Sequence, residues 1–282
     1  MDIELIQTKK ALVSTQMSLA PFAINPYRGC EFGCTYCYAR LTKHAKKSQH
    51  TLGIKTNLAS ILEKELKYKQ VTQVLFGSSC ECFTYRESHE RLTEQILKIL
   101  NHHNISYTIL TKSPLIQRVL PLIKQNTHNK IFFTFNFSRE RIKQLLEDNS
   151  PSLEARLCAL KNIQEAGISL RLHIGPYIPF FSHIEEIFPL VNDLVKEINV
   201  ELYHKKMGNF PEVLKRLRKH DAFNAAKLEE IYQDKESYYN FSRNLERSLI
   251  SLNNSYQFKL YCIVPEFDTF YDSKISYENA LF

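Results

Sequence analysis

The sequence predicts an α/β protein with a parallel sheet, arranged as a partial (β/α)6 barrel of the TIM type and followed by a mostly helical C-terminal extension. Two observations predict it. Short β-rich apolar runs alternate six times with amphipathic stretches of helical period, and no low-complexity linker or internal repeat beyond that rhythm interrupts them. Such alternation requires parallel strands joined by right-handed crossovers, and the loops at the C-terminal strand ends then carry the chemistry.

Taken in order, the first strand is expected over residues 22–25, and the loop NPYRGCEFGCTYCYAR (residues 25–40) follows it. Strands are then expected at 71–77, 106–111, 131–137, 168–175 and 200–203, and helices at 58–67, 87–102, 115–125, 152–166 and 184–198. In the fourth helix Leu153, Leu157, Leu160 and Ile163 recur at helical spacing, with Pro151 in front and Gly167 behind as start and cap. Cys158 is expected on its apolar face, and Cys262 in a last apolar run, 258–264, that suits an additional strand. The division is an N-terminal segment 1–20, the barrel 21–203, and an extension 204–282 placed to cover the barrel mouth.

The 282 residues, 44% hydrophobic and 24% charged, suffice for a buried core. No apolar stretch approaches a membrane span, and the start, MDIELIQTKK, has acidic residues where a secretory signal is basic and then apolar. The protein is therefore expected in the cytoplasm without a membrane partner. Seven cysteines, an odd number unevenly spread, point in that compartment to metal or redox chemistry and away from a disulfide framework. The net charge of +7 allows a polyanionic partner. Basic residues gather at Lys43, His44, Lys46, Lys47 and His50, and again at Lys205, Lys206, Lys215, Arg216, Arg218 and Lys219. Charge alone favours solvated surface for both groups.

Cys30, Cys34 and Cys37 form C-x3-C-x2-C, short enough for three thiolates to converge on one inorganic centre. Gly29 and Gly33, each directly before a cysteine, permit the positive φ such a tight loop needs. A structural zinc site wants a fourth protein ligand, for which His44 is available. An iron–sulfur cluster held by three thiolates instead leaves one iron open to a further ligand.

The spacing, with Tyr36 directly before the third cysteine, resembles the radical S-adenosylmethionine (SAM) enzymes. The longer loop resembles their subgroup related to spore photoproduct lyase, labelled DNA repair photolyase-like. The likeness continues through IKTNLASILEKEL (54–66), ILTKSPLI (109–116), SPSLEARLCALKNIQEAGI (150–168) and HIGPYIP (173–179), so it covers about residues 21–203. It implies a barrel with a 4Fe-4S cluster and SAM at its mouth, and an electron donor such as flavodoxin or ferredoxin. Cys30, Cys34 and Cys37 are then the iron ligands. Tyr36 lies at the cofactor, and Gly77 and Ser78 resemble the segment that receives the SAM amino group. Lys112 matches a partner for the SAM carboxylate, and Thr134 and Asn136 match positions facing ribose and methionine. Backbone at Ile174 and Gly175 matches the adenine contact.

One segment departs from the subgroup's acidic TDPYQP-like stretch: here it reads GSSCECFTYRE (77–87). Spore photoproduct lyase resembles this version more closely, and the resemblance implies a thiol that gives a hydrogen atom to a product radical. Register favours Cys82 ahead of Cys80, with Tyr36 and Tyr38 matching tyrosines placed to pass the hydrogen on. Inert buried thiols, a second metal site and a redox link remain open for the pair. A nucleic-acid substrate is suggested by charge and by PYIPFF (176–181), where Tyr177, Phe180 or Phe181 can stack on a base. Capping of the core is the plain alternative for those rings, and a peptide or small molecule suits the same chemistry. From a different class, a non-enzymatic nucleic-acid-binding protein stabilised by zinc or an Fe-S centre also accommodates the cysteine loop and the basic charge.

Overall fold

The computed structural model describes residues 1–15, 17–41 and 51–268. His44 and the basic group at Lys43, Lys46, Lys47 and His50 lie outside the described residues. The chain divides into two compact units. Unit 1 comprises Met1–Phe32, Ala39–Phe133 and Ser150–Arg171, and unit 2 comprises Gly33–Tyr38, Thr134–Asn149 and Leu172–Phe282.

Unit 1 holds the strands β1 (Asp2–Ile6), β2 (Val13–Ser14), β3 (Phe22–Ile24), β4 (Tyr27–Arg28), β5 (Thr51–Lys55), β6 (Gln73–Phe76), β7 (Ser106–Thr111) and β8 (Lys130–Thr134). Its main sheet has the order β2-β3-β6-β7-β8. The four strands from β3 onward pair in parallel, and β2 lies antiparallel on the edge. Val74, Leu75 and Phe76 are buried with no exposed surface, as a parallel strand covered on both faces requires. The fold class is therefore the expected one, and unit 1's main sheet is open. A small sheet, β1-β5-β4, was not expected from the sequence: Ile3 and Leu5 alternate with Asp2 and Glu4, but the run is only five residues long and mostly exposed.

The helices of unit 1 are α1 (Leu58–Leu66), α2 (Glu87–Glu90), α3 (Leu92–His102), α4 (Leu120–Ile123) and α6 (Leu153–Glu165). Residues 87–102 form two helices where one is expected. Arg91 adopts φ 51°, and the Glu87 carboxylate turns back to accept the Glu94 backbone N–H at 3.1 Å, restarting the helix. The helix expected at 115–125 is a 3-10 turn, Pro114–Val119, followed by one turn of α4. In α6, Ser152 caps the N-terminus by accepting the Ala155 N–H at 3.2 Å, and Gly167 follows with φ 70°. Its buried face is Leu153, Arg156, Ala159, Leu160 and Ile163, so Leu157 is only half-buried. Cys158 is exposed, contrary to expectation, because five residues past Leu153 it has turned about 140° around the axis.

Unit 2 contains α5 (Glu140–Leu146), β9 (Ser169–Tyr177), α7 (Ile184–Val191), β10 (Glu197–Leu202), α8 (Phe210–His220), α9 (Ala222–Ile231), α10 (Lys235–Asn253) and β11 (Lys259–Ile263), although β9 begins within unit 1. The sheet order is β9-β10-β11, with β10 and β11 parallel from Glu197↔Lys259 to Glu201↔Ile263. The helical extension and last strand match the sequence reading. The helix expected to 198 stops at Val191, where the Leu194 N–H reaches the Val191 carbonyl at 2.9 Å in a tighter turn. Cys262 is half-buried and not fully enclosed. Phe181 is buried and cannot stack on a ligand, whereas Phe180 packs against Phe241 with ring centroids 6.4 Å apart. The C-terminal basic residues are largely committed: Arg216 pairs with Asp148, Arg218 with Glu229, Lys215 with Glu212, and Lys205 donates to the Tyr232 carbonyl at 2.6 Å. No helix among the described residues is long and apolar enough to cross a membrane.

The segment entering β2 and β3 is held by a buried carboxylate. Glu65 on α1 accepts the backbone N–H groups of Ala11 (3.1 Å) and Leu12 (2.7 Å) and an ion pair from Lys69 (3.0 Å). Burial opposes its ionisation, but those bonds together hold its pKa below the ordinary carboxylate value. A depressed folded pKa contributes stability above the unfolded pKa, and this is lost as pH falls through the folded value. Glu65→Gln is expected to lower stability by roughly 1 kcal/mol at neutral pH, the difference between charged and neutral hydrogen bonds. Urea denaturation should show that gap closing as pH drops below the carboxylate range.

Candidate active site

In unit 1 the site residues sit on the loops after β3 and β6. Asn25, one residue past β3, organises them. Its Nδ2 donates to Ser78 Oγ at 3.0 Å, and its Oδ1 accepts the Ser79 N–H at 2.9 Å and the Cys80 thiol at 3.6 Å. Its carbonyl accepts the Lys55 ammonium at 2.6 Å. Gly77 turns the chain here with φ 82°, and an added Cβ would stand 2.4 Å from the Leu110 carbonyl oxygen. Only glycine meets both conditions, because an L side chain is strained at that φ and neighbouring β7 backbone occupies the space.

Glu81, between the two cysteines, joins this loop to the end of β7. It accepts from Thr111 Oγ1 at 2.6 Å, from the Phe83 N–H at 2.9 Å and from the Lys112 N–H at 3.1 Å. Burial pushes the Glu81 carboxyl up, against those hydrogen bonds. Lys112 is half-buried on a backbone fixed by that carboxylate. Cys82 has no exposed surface, and its carbonyl accepts the Thr93 hydroxyl at 2.6 Å. Burial raises the Cys82 thiol well above its usual range. Cys80 is 8% exposed, and a hydrogen bond with Cys82 draws it down, aided by the Lys55 charge. Cys82 is thus the member of the pair held in the S–H form. Tyr27 donates to Glu87 nearby, and burial raises its pKa above the ordinary tyrosine value.

In unit 2 the cysteine loop is sewn to the end of α5. Cys34 bridges Glu147 as an isolated antiparallel pair, the Thr35 N–H donates to the Leu146 carbonyl at 2.7 Å, and Asn209 Nδ2 donates to the Thr35 carbonyl at 3.1 Å. The Tyr36 hydroxyl donates to the fully buried Glu147 carboxylate and accepts from Asn136 Nδ2 at 2.9 Å. Asn136 Oδ1 in turn accepts the Gly175 N–H at 2.8 Å. Three of the sequence-derived residues, Tyr36, Asn136 and Gly175, are therefore brought together by direct hydrogen bonds. The Asn136 amide is spent inside the protein, Thr134 is half-buried two residues away, and Ile174 is fully buried in the core. Tyr38 is 40% exposed. Asn25, Lys55, Glu81 and Glu147 were missed as site residues. Only Glu81 carried a sequence signal, its place between two cysteines, since the others act through folded contacts.

Gly29 and Gly33 adopt φ 83° and 64°, as expected before Cys30 and Cys34, and the Cys37 N–H closes a turn onto the Cys34 carbonyl at 3.2 Å. None of the seven cysteines is in a disulfide. Among the described residues no group of three or more His, Cys, Asp or Glu side chains is gathered closely enough to hold a metal ion. The donor set, three thiols within eight positions on a glycine-turned loop, suits a thiophilic cluster by its chemistry.

Fold and site together describe an α/β enzyme with a thiol-rich loop after a core strand of a parallel sheet. The family model of the Radical SAM superfamily matches residues 24–191. The chain belongs to the radical SAM superfamily and is an enzyme of that class, which uses an iron–sulfur cluster and SAM. An uncharacterized protein of Methanocaldococcus jannaschii is 31% identical over 221 residues, 73% of this chain and 83% of that one. An uncharacterized protein of Mycobacterium tuberculosis is 26% identical over 170 residues, 56% of this chain and 50% of that one. Among solved structures, spore photoproduct lyase complexed with dinucleoside spore photoproduct aligns with a TM-score of 0.65 at 16% identity, covering 93% of this chain and 82% of that one. A variant of the same enzyme with bound AdoMet and dinucleoside spore photoproduct aligns at 0.63 and 14% identity, over 92% and 81%. The fold is thus that of spore photoproduct lyase. The non-enzymatic binding-protein reading finds no support.

Gly77→Ala is expected to destabilise the protein by about 1–3 kcal/mol, the strain of a non-glycine residue at that φ together with the clash against Leu110. Urea denaturation of the variant checks this.

Proposed function

We propose that the enzyme abstracts hydrogen from a nucleic-acid component, as a lesion-repair or modification reaction, and that a thiol of the Cys80–Cys82 loop returns a hydrogen atom to the product radical. The observation that carries this reading is the pair of buried thiols packed with Asn25 beside Gly77 and Ser78, with Cys82 kept as S–H by burial. The fold neighbour complexed with dinucleoside spore photoproduct supports the substrate class.

Cys30, Cys34 and Cys37 would hold a 4Fe-4S cluster. That cluster would supply the electron for reductive cleavage of SAM, drawn from a donor such as flavodoxin or ferredoxin. This chain's own residues bind and orient. Gly77 and Ser78 offer backbone to the SAM amino group, and Lys112 offers a cation to its carboxylate from a backbone pinned by Glu81. Tyr36, Thr134, Asn136 and the backbone at Ile174 and Gly175 shape the nucleoside side. The division of labour between the thiols follows from their surroundings. A thiol donates a hydrogen atom only while protonated, which Cys82 is; Cys80, with the little exposure the pair has, is the route by which a radical reaches them. Tyr38, exposed beside Cys37, and Tyr36 are the tyrosines that the family resemblance offers for passing hydrogen onward.

The first test is anaerobic reconstitution with iron and sulfide, addition of SAM and dithionite, and mass spectrometry for 5′-deoxyadenosine. Wild-type protein is expected to turn brown and form it, and Cys34→Ala to lose both colour and product; a full cluster with normal turnover in that variant overturns the ligand assignment. A second test uses dinucleoside spore photoproduct. Cys82→Ala is expected to keep forming 5′-deoxyadenosine while diverting the product radical, and identical products from Cys82→Ala and Cys80→Ala would assign both thiols to packing.

A further inference from the structure

One strand face of unit 2 carries a polar row that none of the cofactor assignments uses. On β10, Ile198, Val200 and Leu202 have no exposed surface on one side, and Glu197, Asn199 and Glu201 alternate with them on the other. Asn199 stands in register with Tyr261 of β11, whose hydroxyl donates to the Glu197 carboxylate at 3.3 Å. On β9 the His173 imidazole lies 3.5 Å from the Glu201 carboxylate. It folds over Gly175, where an added Cβ would come within 2.0 Å of the ring. Glu197 and Glu201 are half-buried, but Asn199 between them is 0% exposed, and neither its Nδ2 nor its Oδ1 has a hydrogen-bond partner. Buried polar atoms are paired in the great majority of cases, so a side-chain amide with both functions unmet marks a partner that binds there.

We propose that this row is a substrate subsite in which the Asn199 amide reads the edge of a nucleobase through paired hydrogen bonds. Three features select that class of ligand. A side-chain amide presents a coplanar donor and acceptor, the complement of a base edge that offers an acceptor beside an N–H. The flanking carboxylates of Glu197 and Glu201 accept N–H groups and repel anions, so a phosphate or carboxylate is disfavoured at this point and a neutral heterocycle is favoured. The Tyr261 ring, in register with Asn199, gives the row a flat side suited to a planar partner. The inference rests on the radical SAM reading above and narrows its substrate to one recognised by its base.

The test measures binding of the deoxydinucleotides TpT, ApA, GpG and CpC, with N-acetylglycinamide as an amide control, to the reconstituted protein by calorimetry. Wild type is expected to bind at least one dinucleotide, and Asn199→Leu to weaken that binding about 10- to 100-fold, the worth of one bidentate pair. Asn199→Asp, which keeps the shape and removes the N–H donor, covers the case in which the leucine variant fails to fold and is expected to alter which dinucleotide binds best. Dinucleotide binding unchanged in the variants overturns the subsite, and an accompanying rise in Tm for Asn199→Leu would mark a water site. Binding of the amide control alone, or of no dinucleotide by wild type, also overturns it. The radical SAM reading fails separately, by absence of 5′-deoxyadenosine from wild type with cluster and SAM bound.

Discussion

A carboxylate with no access to solvent, Glu147, holds the cysteine loop in place. A buried carboxylate persists only when its acceptor capacity is used, and here it receives the Tyr36 hydroxyl while its backbone bridges Cys34. Asn136 extends the chain of bonds from Tyr36 to the Gly175 N–H. The loop that must present its thiols is therefore braced on the strand ends that follow β8 and lie within β9. This, with the burial of Phe32 and Tyr36 themselves, explains how a stretch rich in glycine and cysteine takes one conformation. The same bracing uses up the Asn136 amide on the Tyr36 hydroxyl and the Gly175 N–H.

Unit 1 solves the corresponding problem around the Cys80–Cys82 pair with Asn25 and Glu81. Asn25 gathers Ser78, Ser79, Cys80 and Lys55, and Glu81 fastens the loop to Thr111 and Lys112. A thiol stays protonated when it is dry, and one exposed to water beside a cation would ionise instead. Burial decides this for Cys82 against the nearby Lys55, whose own pKa burial lowers, so the ammonium weakens as a thiolate partner. The two adjacent cysteines thus have different environments and are not interchangeable.

The family and the fold class were legible because their signals are local. Three cysteines at fixed spacing, glycines ahead of two of them, and six alternating runs need no tertiary knowledge to read. Where the reading slipped, a contact distant in sequence was responsible. Arg91 breaks the helix expected over 87–102 because Glu87 serves both Tyr27 and the restarted helix, and Cys158 falls outside a buried face that Arg156 enters. Exposed β1 pairs with β5 across 49 positions, a partner that the short alternation of each strand does not name.

The sequence by itself determined the chemical class, since only residue identity and spacing decide whether three thiols can meet one inorganic centre, and it determined the α/β class through the period of its apolar residues. Only the tertiary structure decided which acids and amides support the site. Glu147 and Asn136 meet Tyr36 from 111 and 100 residues away, and Asn25 meets Cys80 from 55. Such partners are selected by proximity in the folded chain, and hydrogen bonding and desolvation act on that proximity without leaving a periodic trace in the order of residues.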